Sequence, residues 1–123
     1  MPAHVLLIDS DQFFVTIFER ALRDAGFQVS VALDGEEGLS LARRAEPQVI
    51  VTGLVLPKKD GFCVLEELKQ SDATQEIPVV VFSELGTKED VDRCFELGAC
   101  DYLIKSQCAP ADAITRIRKI CGA

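Results

Sequence analysis

Short apolar segments alternate with amphipathic segments along the whole chain. Residues 5–8 are entirely apolar and end at the polar triplet 9–11, after which apolar side chains recur at helical spacing until Gly26. This order predicts a strand, a turn and a helix. The pattern then recurs four times. The further strands are predicted at 28–32, 49–51, 79–82 and 102–104. The further helices are predicted from Asp34 to before Pro47, from the end of the 53–61 loop through Lys69, at about 88–97 and at 110–121.

Strict alternation of strands and helices predicts a parallel sheet, because right-handed crossover connections place helices on both of its faces. The continuous apolarity of residues 49–51 is typical of a central strand that is buried on both faces. We therefore expect a doubly wound α/β fold of flavodoxin-like type, (βα)5, with strand order 2-1-3-4-5. At 123 residues the chain has the length of one ordinary domain, which we place at 1–123.

Sheets of this class bind ligands beyond the carboxyl ends of their strands, where the strand order reverses. In this chain that edge is predicted to carry residues that follow or end four different strands. They are Asp9, Ser10, Gly53, Ser83 and Lys105.

Composition narrows the function classes. Hydrophobic residues make up 48% and charged residues 27%, as in a globular protein, and no apolar run approaches the roughly 20 residues of a membrane span. The N-terminus lacks the basic region of a secretion signal, so we expect a cytoplasmic protein. A net charge of -7 disfavours nucleic-acid binding by this chain alone. The five cysteines include no C-x-x-C pair, so neither a disulfide framework nor a zinc site is predicted. A protein partner is the expectation.

Four motifs give the chain a resemblance to a known family. They are LLIDSD after the first strand, P-x-VIV-x-x-LVLPKKDG around the third, PVVVFS in the fourth and GACDYLIK through the fifth. In content, order and spacing the chain resembles a response-regulator receiver domain of two-component systems over essentially its whole length. The resemblance implies a phosphorelay module in which two acidic residues hold Mg²⁺, an aspartate accepts a phosphoryl group, and a hydroxyl, a lysine and an aromatic residue respond to it.

Residue by residue, the resemblance carries over only in part. The first acidic position is Asp9, and the positions of the hydroxyl, the aromatic residue and the lysine are Ser83, Tyr102 and Lys105. The second acidic position is Ser10 and the phosphoacceptor position is Gly53. Because glycine has no side chain to act as a nucleophile, phosphotransfer at the usual position is excluded, and we expect a pseudo-receiver.

Neither an alternative acceptor nor Mg²⁺ finds good support in the sequence. Thr52 is expected to point away from the pocket, and Ser83 lacks an adjacent base. Asp9, Ser10 and the carbonyl of Val55 are a poor set of ligands for Mg²⁺, so we expect no cofactor and at best weak metal binding. Asp11 is expected to cap the first helix instead of binding metal.

Two further positions distinguish this pocket from the family pattern: Glu84, where the family usually has a small residue, and Ser106. Lys105, without its usual acceptor aspartate, is expected to pair with Asp9 or with Glu84, although Glu84 could equally point into solvent. Ser106 replaces a common proline, so the cis peptide that is usual there would cost about 2.5 to 4 kcal/mol more than a trans peptide. We therefore expect a changed loop geometry.

The resemblance also implies an output face made of the fourth helix, the fifth strand and the fifth helix. Here the fourth helix is acidic and the fifth is basic, which suits a protein partner or a homodimer, or else represents two ordinary solvated faces. Tyr102 is either a switch-like anchor on this face or a half-buried aromatic. The charged residues are Glu89, Asp90, Asp92 and Glu96 on the fourth helix and Arg116, Arg118 and Lys119 on the fifth.

Three functions remain as hypotheses. The first is a non-enzymatic pseudo-receiver that acts in bacterial signal transduction through protein–protein interaction, either alone or as part of a longer protein. The second is a working phosphorelay receiver with an unusual acceptor. The third is a small-ligand-binding domain on the same scaffold, which the fold alone does not exclude.

Overall fold

The computed structural model describes residues 2–122 as five strands alternating with five α-helices. The strands are β1 (His4–Ile8), β2 (Gln28–Ala32), β3 (Val49–Thr52), β4 (Val79–Ser83) and β5 (Asp101–Ile104). The helices are α1 (Gln12–Asp24), α2 (Gly35–Ala45), α3 (Gly61–Gln70), α4 (Lys88–Glu96) and α5 (Pro110–Cys121), with a one-turn 3-10 helix at Lys105–Gln107.

All neighbouring strands are parallel, and their order is β2-β1-β3-β4-β5. The predicted fold class and strand order are therefore confirmed. β3 and β4 each continue one residue further than the apolar runs indicate, to Thr52 and Ser83, because a polar residue can still pair through its backbone. Ile8 lies opposite both Ala32 and Thr52, so the carboxyl ends of β1, β2 and β3 lie level.

Helices cover both faces of the sheet, and alternate residues of each strand point to opposite faces. Val5 and Leu7 of β1 pack with α1 and α5, whereas Leu6 and Ile8 pack with α2, α3 and α4. The helical residues of the first core include Val15, Phe18, Leu22, Ile114 and Ile117, and those of the second include Leu39, Ala42, Val64, Leu65, Leu68 and Cys94. Within residues 2–122, no helix is both long enough and apolar enough to cross a bilayer.

Three phenylalanine rings join α1 to β4 next to the carboxyl edge of the sheet. Phe14 and Phe18 stack with their centroids 5.4 Å apart, and both meet Phe82 edge-to-face at 5.2 and 5.3 Å. Phe18 and Phe82 are buried and Phe14 is partly buried. The cluster fixes the first turn of α1 relative to the end of β4.

Side chains cap four of the five α-helices at their N-termini. Asp11, Asp34, Asp60 and Thr87 each accept a hydrogen bond from a backbone N–H in the first turn. The caps predicted at Asp11 and Asp34 are confirmed. α5 has no side-chain cap and begins instead with Pro110, whose missing N–H needs no partner at that position.

The five cysteines are unpaired thiols in different surroundings. Cys94 is buried, Cys63 and Cys100 are exposed, and Cys108 and Cys121 are partly buried. Burial of Cys94 in the core between α4 and the sheet raises the pKa of its thiol from 9.0 to about 11. The thiol is therefore protonated and unreactive at neutral pH.

This raised pKa predicts a loss of stability at alkaline pH. Between pH 9.0 and about 11 the unfolded chain releases the Cys94 proton while the folded chain keeps it. The contribution of Cys94 to the free energy of unfolding is therefore fully present below pH 9. It falls as the pH rises toward 11, by at most about 1.4 kcal/mol per pH unit. Urea unfolding across this range should show a shallower decline for Cys94→Ala than for the unsubstituted protein, and equal slopes would contradict the prediction.

Candidate functional site

The predicted site residues lie together at the carboxyl edge of the sheet. Asp9 and Gly53 follow the neighbouring strands β1 and β3, Ser83 ends β4, and Lys105 follows β5. With the loops after β1, β3 and β4 they line a cavity of about 290 Å³. The other lining residues are Ser10, Asp11, Leu54, Val55, Glu84 and Leu85.

Lys105 and Asp9 form a largely buried ion pair in this cavity. Lys105 Nζ lies 2.9 Å from Asp9 Oδ2, and the two side chains are only 14% and 6% exposed. The ammonium also lies 3.9 Å from the centre of the Phe14 ring, within the range of a cation–π contact. Of the two partners expected for Lys105, the structure therefore selects Asp9, and Glu84 is exposed.

The other oxygen of Asp9 is held by the start of α1. The backbone N–H of Asp11 donates to Asp9 Oδ1 at 2.9 Å. The carboxylate of Asp11 in turn accepts hydrogen bonds from the N–H groups of Phe13 and Phe14, at 3.1 and 3.2 Å. Both carboxylates near the metal position of the family are thus engaged within the chain.

Gly53 lies directly against the Asp9 carboxylate. Its N–H donates to the carbonyl of Ile8 at 2.8 Å, and a Cβ built on Gly53 would lie 3.0 Å from Asp9 Oδ2. Thr52 is completely buried, and its hydroxyl donates to the carbonyl of Gly53 at 2.9 Å instead of lining the cavity. The predicted orientation of Thr52, away from the cavity, is confirmed.

Ser10 and Val55 meet at the mouth of the cavity. The hydroxyl of Ser10 donates to the carbonyl oxygen of Val55 at 3.3 Å. The side chain of Val55 is apolar and exposed, so the backbone carbonyl is the polar group that this residue offers at the site.

One residue of the loop after β4 connects the cavity with Tyr102. The N–H of Leu85 donates to Ser83 Oγ at 3.1 Å, and the hydroxyl of Tyr102 donates to the carbonyl of Leu85 at 2.6 Å. Partial burial is the largest cause that raises the pKa of Tyr102, followed by Cys94 and Asp90 nearby. The sequence indicated Ser83 and Tyr102 but not Leu85, because Leu85 acts through backbone groups.

The basic residues of α5 are mostly engaged within the chain. Arg116 Nη1 donates to both carboxylate oxygens of Asp101 in β5, at 2.9 and 3.0 Å, and Arg118 donates to the carbonyl of Ala25 at 2.7 Å. A second cavity, of about 480 Å³, lies on this face between β5 and α5 and is lined by Tyr102, Asp112, Arg116 and Lys119, among others. The sequence did not reveal these two internal partners.

Ser106 lies in the 3-10 turn Lys105–Gln107, and no peptide bond within residues 2–122 is cis. The expected departure from a cis peptide at this loop is therefore confirmed. The turn places Lys105 immediately after β5, from where its side chain reaches Asp9.

The sequence also did not indicate a charged cluster that lies outside the cavity. Glu67 Oε2 accepts from Lys59 Nζ at 2.7 Å and from Cys63 Sγ at 3.2 Å. The pKa of Glu67 is lowered, mainly by the hydrogen bond from Lys59. The pKa of Cys63 is raised, mainly by its own hydrogen bond to Glu67. The spacing of Cys63 and Glu67 by four residues on one helix was the available signal.

Sequence comparison matches the chain to one family. The family model described as the response regulator receiver domain matches residues 5–118. The chain is 39% identical over 105 residues to the DNA-binding dual master transcriptional regulator RpaA of Synechocystis. The matched region makes up 85% of this chain and 43% of RpaA. It is 35% identical to the response regulator PleD of Caulobacter vibrioides, over 85% of this chain and 23% of PleD. The chain thus spans less than half the length of these relatives.

Solved structures of receiver domains have the same fold as this chain. The receiver domain of Francisella response regulator 1452 superposes with a TM-score of 0.91 at 27% identity, over 98% of this chain and 97% of that one. The receiver domain of the sensor histidine kinase PA1611 from Pseudomonas aeruginosa PAO1, which holds a magnesium ion in its active-site cleft, superposes with a TM-score of 0.90 at 23% identity, with complete coverage of both chains.

Proposed function

The chain belongs to the response regulator receiver domain family, and from this membership we propose that it is a pseudo-receiver: a non-enzymatic module of bacterial two-component signalling that acts through protein–protein contacts and without phosphorylation. Receiver domains normally change state when a phosphoryl group binds. Without such a ligand, only a partner that prefers one conformation can shift this domain.

Gly53 is the observation that carries the proposal. It follows β3 at the edge of the cavity, where the family resemblance places the phosphoacceptor, and it offers no nucleophilic atom. The nearest hydroxyl in sequence, that of Thr52, is buried and donates to the Gly53 carbonyl. Ser83 lines the cavity, but its Oγ accepts a hydrogen bond from Leu85 and has no base among its described hydrogen-bond partners.

The proposal includes independence from Mg²⁺. Mg²⁺ needs near-octahedral oxygen ligands and gives up its water reluctantly. In this chain Asp9 is paired with Lys105, Asp11 caps α1, and the Val55 carbonyl accepts from Ser10. Within residues 2–122, no group of three or more His, Cys, Asp or Glu side chains is arranged to hold a metal ion. These residues do not fit the ion.

For the contact surface we propose the face formed by α4, β5 and α5. It carries Tyr102, an open cavity and an acidic α4 with Glu89, Asp90, Asp92 and Glu96. Arg116 is paired with Asp101 and Arg118 donates to the Ala25 carbonyl, so these two side chains are less available to meet the acidic α4 of a second copy. A partner that brings its own basic side chains to Glu89, Asp90 and Glu96 therefore suits this face better than a second copy does. The net charge of -7 disfavours a nucleic acid here.

Exposure to a small phosphodonor tests the proposal. We expect the intact mass of the protein to stay unchanged after incubation with acetyl phosphate or phosphoramidate and Mg²⁺. We also expect no saturable amide shifts at Ser83, Tyr102 or Lys105 on addition of beryllofluoride, which mimics an aspartyl phosphate. The reason is that Gly53 offers no carboxylate at the acceptor position and that Asp9 is already paired with Lys105.

The matched control is the double variant Gly53→Asp with Ser10→Asp, which restores both carboxylates that the family pattern requires. This variant should gain the mass of one phosphoryl group under the same conditions. If the unsubstituted protein itself gains that mass, the pseudo-receiver proposal is wrong and the modified residue, located by peptide mapping, is the true acceptor.

A further inference from the structure

The negative charge of the Asp9 carboxylate is already balanced by a residue of this chain. Asp9 Oδ2 lies 2.9 Å from the Lys105 ammonium, and Asp9 Oδ1 accepts the N–H of Asp11 at 2.9 Å. The only other oxygens that the family resemblance assigns to a metal here are those of Ser10 and Val55, and they are hydrogen-bonded to each other at 3.3 Å. Each potential ligand therefore has a partner from this chain.

Displacement of Lys105 by a metal ion would be costly. The lysine side chain is mostly buried, and its ammonium lies over the Phe14 ring at 3.9 Å. A divalent ion at Asp9 would either repel this ammonium at close range or leave it without its carboxylate in a partly desolvated place. A Cβ on Gly53 would lie 3.0 Å from Asp9 Oδ2, so a side chain at position 53 would require the end of the Asp9 side chain to move by a few tenths of an ångström.

From this arrangement we infer that the ammonium of Lys105 takes the place of the divalent cation in this chain, so that the cavity holds a built-in positive charge and excludes metal ions. The inference rests on the proposed function, since a phosphoacceptor carboxylate at position 53 would compete for Lys105. It assigns Lys105 a constant electrostatic role at Asp9 in place of a response to a phosphoryl ligand.

Manganese titration of three proteins tests this inference. Mn²⁺ is paramagnetic and broadens the amide signals of nearby residues. The unsubstituted protein should show no saturable broadening at Asp9, Ser10, Gly53 or Val55. Lys105→Met keeps much of the apolar stem and removes the charge, so it should show saturable broadening at these residues. Its affinity for Mn²⁺ should exceed any residual affinity of the unsubstituted protein at least about tenfold, because a unit positive charge in contact with the ligand has been removed. Lys105→Met combined with Asp9→Asn should lose this gain.

Two further measurements keep the inference falsifiable if Lys105→Met is marginally stable. Mn²⁺ should raise the melting temperature of Lys105→Met and leave that of the unsubstituted protein unchanged, because an ion that binds only the folded state stabilises it. In the unsubstituted protein, the ¹⁵N signal of the Lys105 ammonium should keep its position on addition of Mg²⁺. Lys59→Met, which removes another paired lysine away from the cavity, is the matched control and should gain no binding there.

The inference is wrong if the unsubstituted protein shows saturable Mn²⁺ broadening at Asp9, or if Lys105→Met is folded and gains neither broadening nor thermal stabilisation. Neither outcome depends on phosphorylation, because all samples are free of phosphodonor. A mass gain with acetyl phosphate would instead overturn the proposed function, so the two failures are distinguishable.

Discussion

Asparagine in place of Asp9 is expected to lower the free energy of unfolding by about 3 kcal/mol. The substitution keeps the size of the side chain but leaves the Lys105 ammonium, which is 14% exposed, without its carboxylate. Phe14 offers this ammonium a ring face and no full charge, so it compensates only in part. The loss should appear as a lower midpoint of urea unfolding with an unchanged slope.

The partly exposed pair of Lys59 and Glu67 provides the control for this prediction. Its side chains are 34% and 32% exposed, so Glu67→Gln should cost less than about 1 kcal/mol. The double variant of Asp9→Asn and Lys105→Met removes both charges from the cavity and should recover most of the stability, because it leaves no unpaired charge buried there. If Asp9→Asn costs no more than Glu67→Gln, the buried pair does not stabilise the fold as we argue.

Alanine in place of Gly61 is expected to cost about 3 kcal/mol, at the upper end of the usual cost of overpacking. A Cβ on Gly61 would clash with the carbonyl oxygen of Gly53 and lie 2.7 Å from the Cα of Leu54. Both are backbone atoms, so the start of α3 would have to move away from the loop that follows β3. The N–H of Gly61 also donates to the carbonyl of Leu54 at 2.8 Å, and this hydrogen bond would be stretched.

Gly86→Ala is the matched control for Gly61→Ala. Gly86 lies on an exposed loop, and its Cβ would lie 2.9 Å from Cδ1 of Ile104, the far end of a flexible side chain in β5. We expect a change in unfolding free energy within about 1 kcal/mol for this variant. Equal costs for the two variants, measured by urea unfolding, would show that the close approach at Gly61 is relieved without strain.

The sheet was predictable because each strand is short, apolar and followed by an amphipathic helix. The run 49–51, with no polar position, indicated a strand covered on both faces, and the structure places β3 between β1 and β4. Strand ends were less predictable. Thr52 and Ser83 extend their strands because they pair through backbone groups, which the alternation of apolar and polar side chains does not report.

The candidate site was predictable in its members but not in its contacts. Topology alone brings Asp9, Gly53 and Lys105 to one edge of the sheet, and the sequence indicated all three. The sequence left open whether Asp9 or Glu84 pairs with Lys105, because the loop that carries Glu84 has no fixed direction until the fold is known. Leu85 and the carbonyl of Ala25 were missed, since a backbone group has no signature in the sequence.

The position of β1 has a consequence for how the chain assembles. β1 is the first strand in the sequence, yet it lies inside the sheet with β2 on one side and β3 on the other. Three adjacent strands are therefore present in the nascent chain once residue 52 has left the ribosome, whereas the edge strand β5 is made last. Loss of the first eight residues would remove the common neighbour of β2 and β3 and split the sheet.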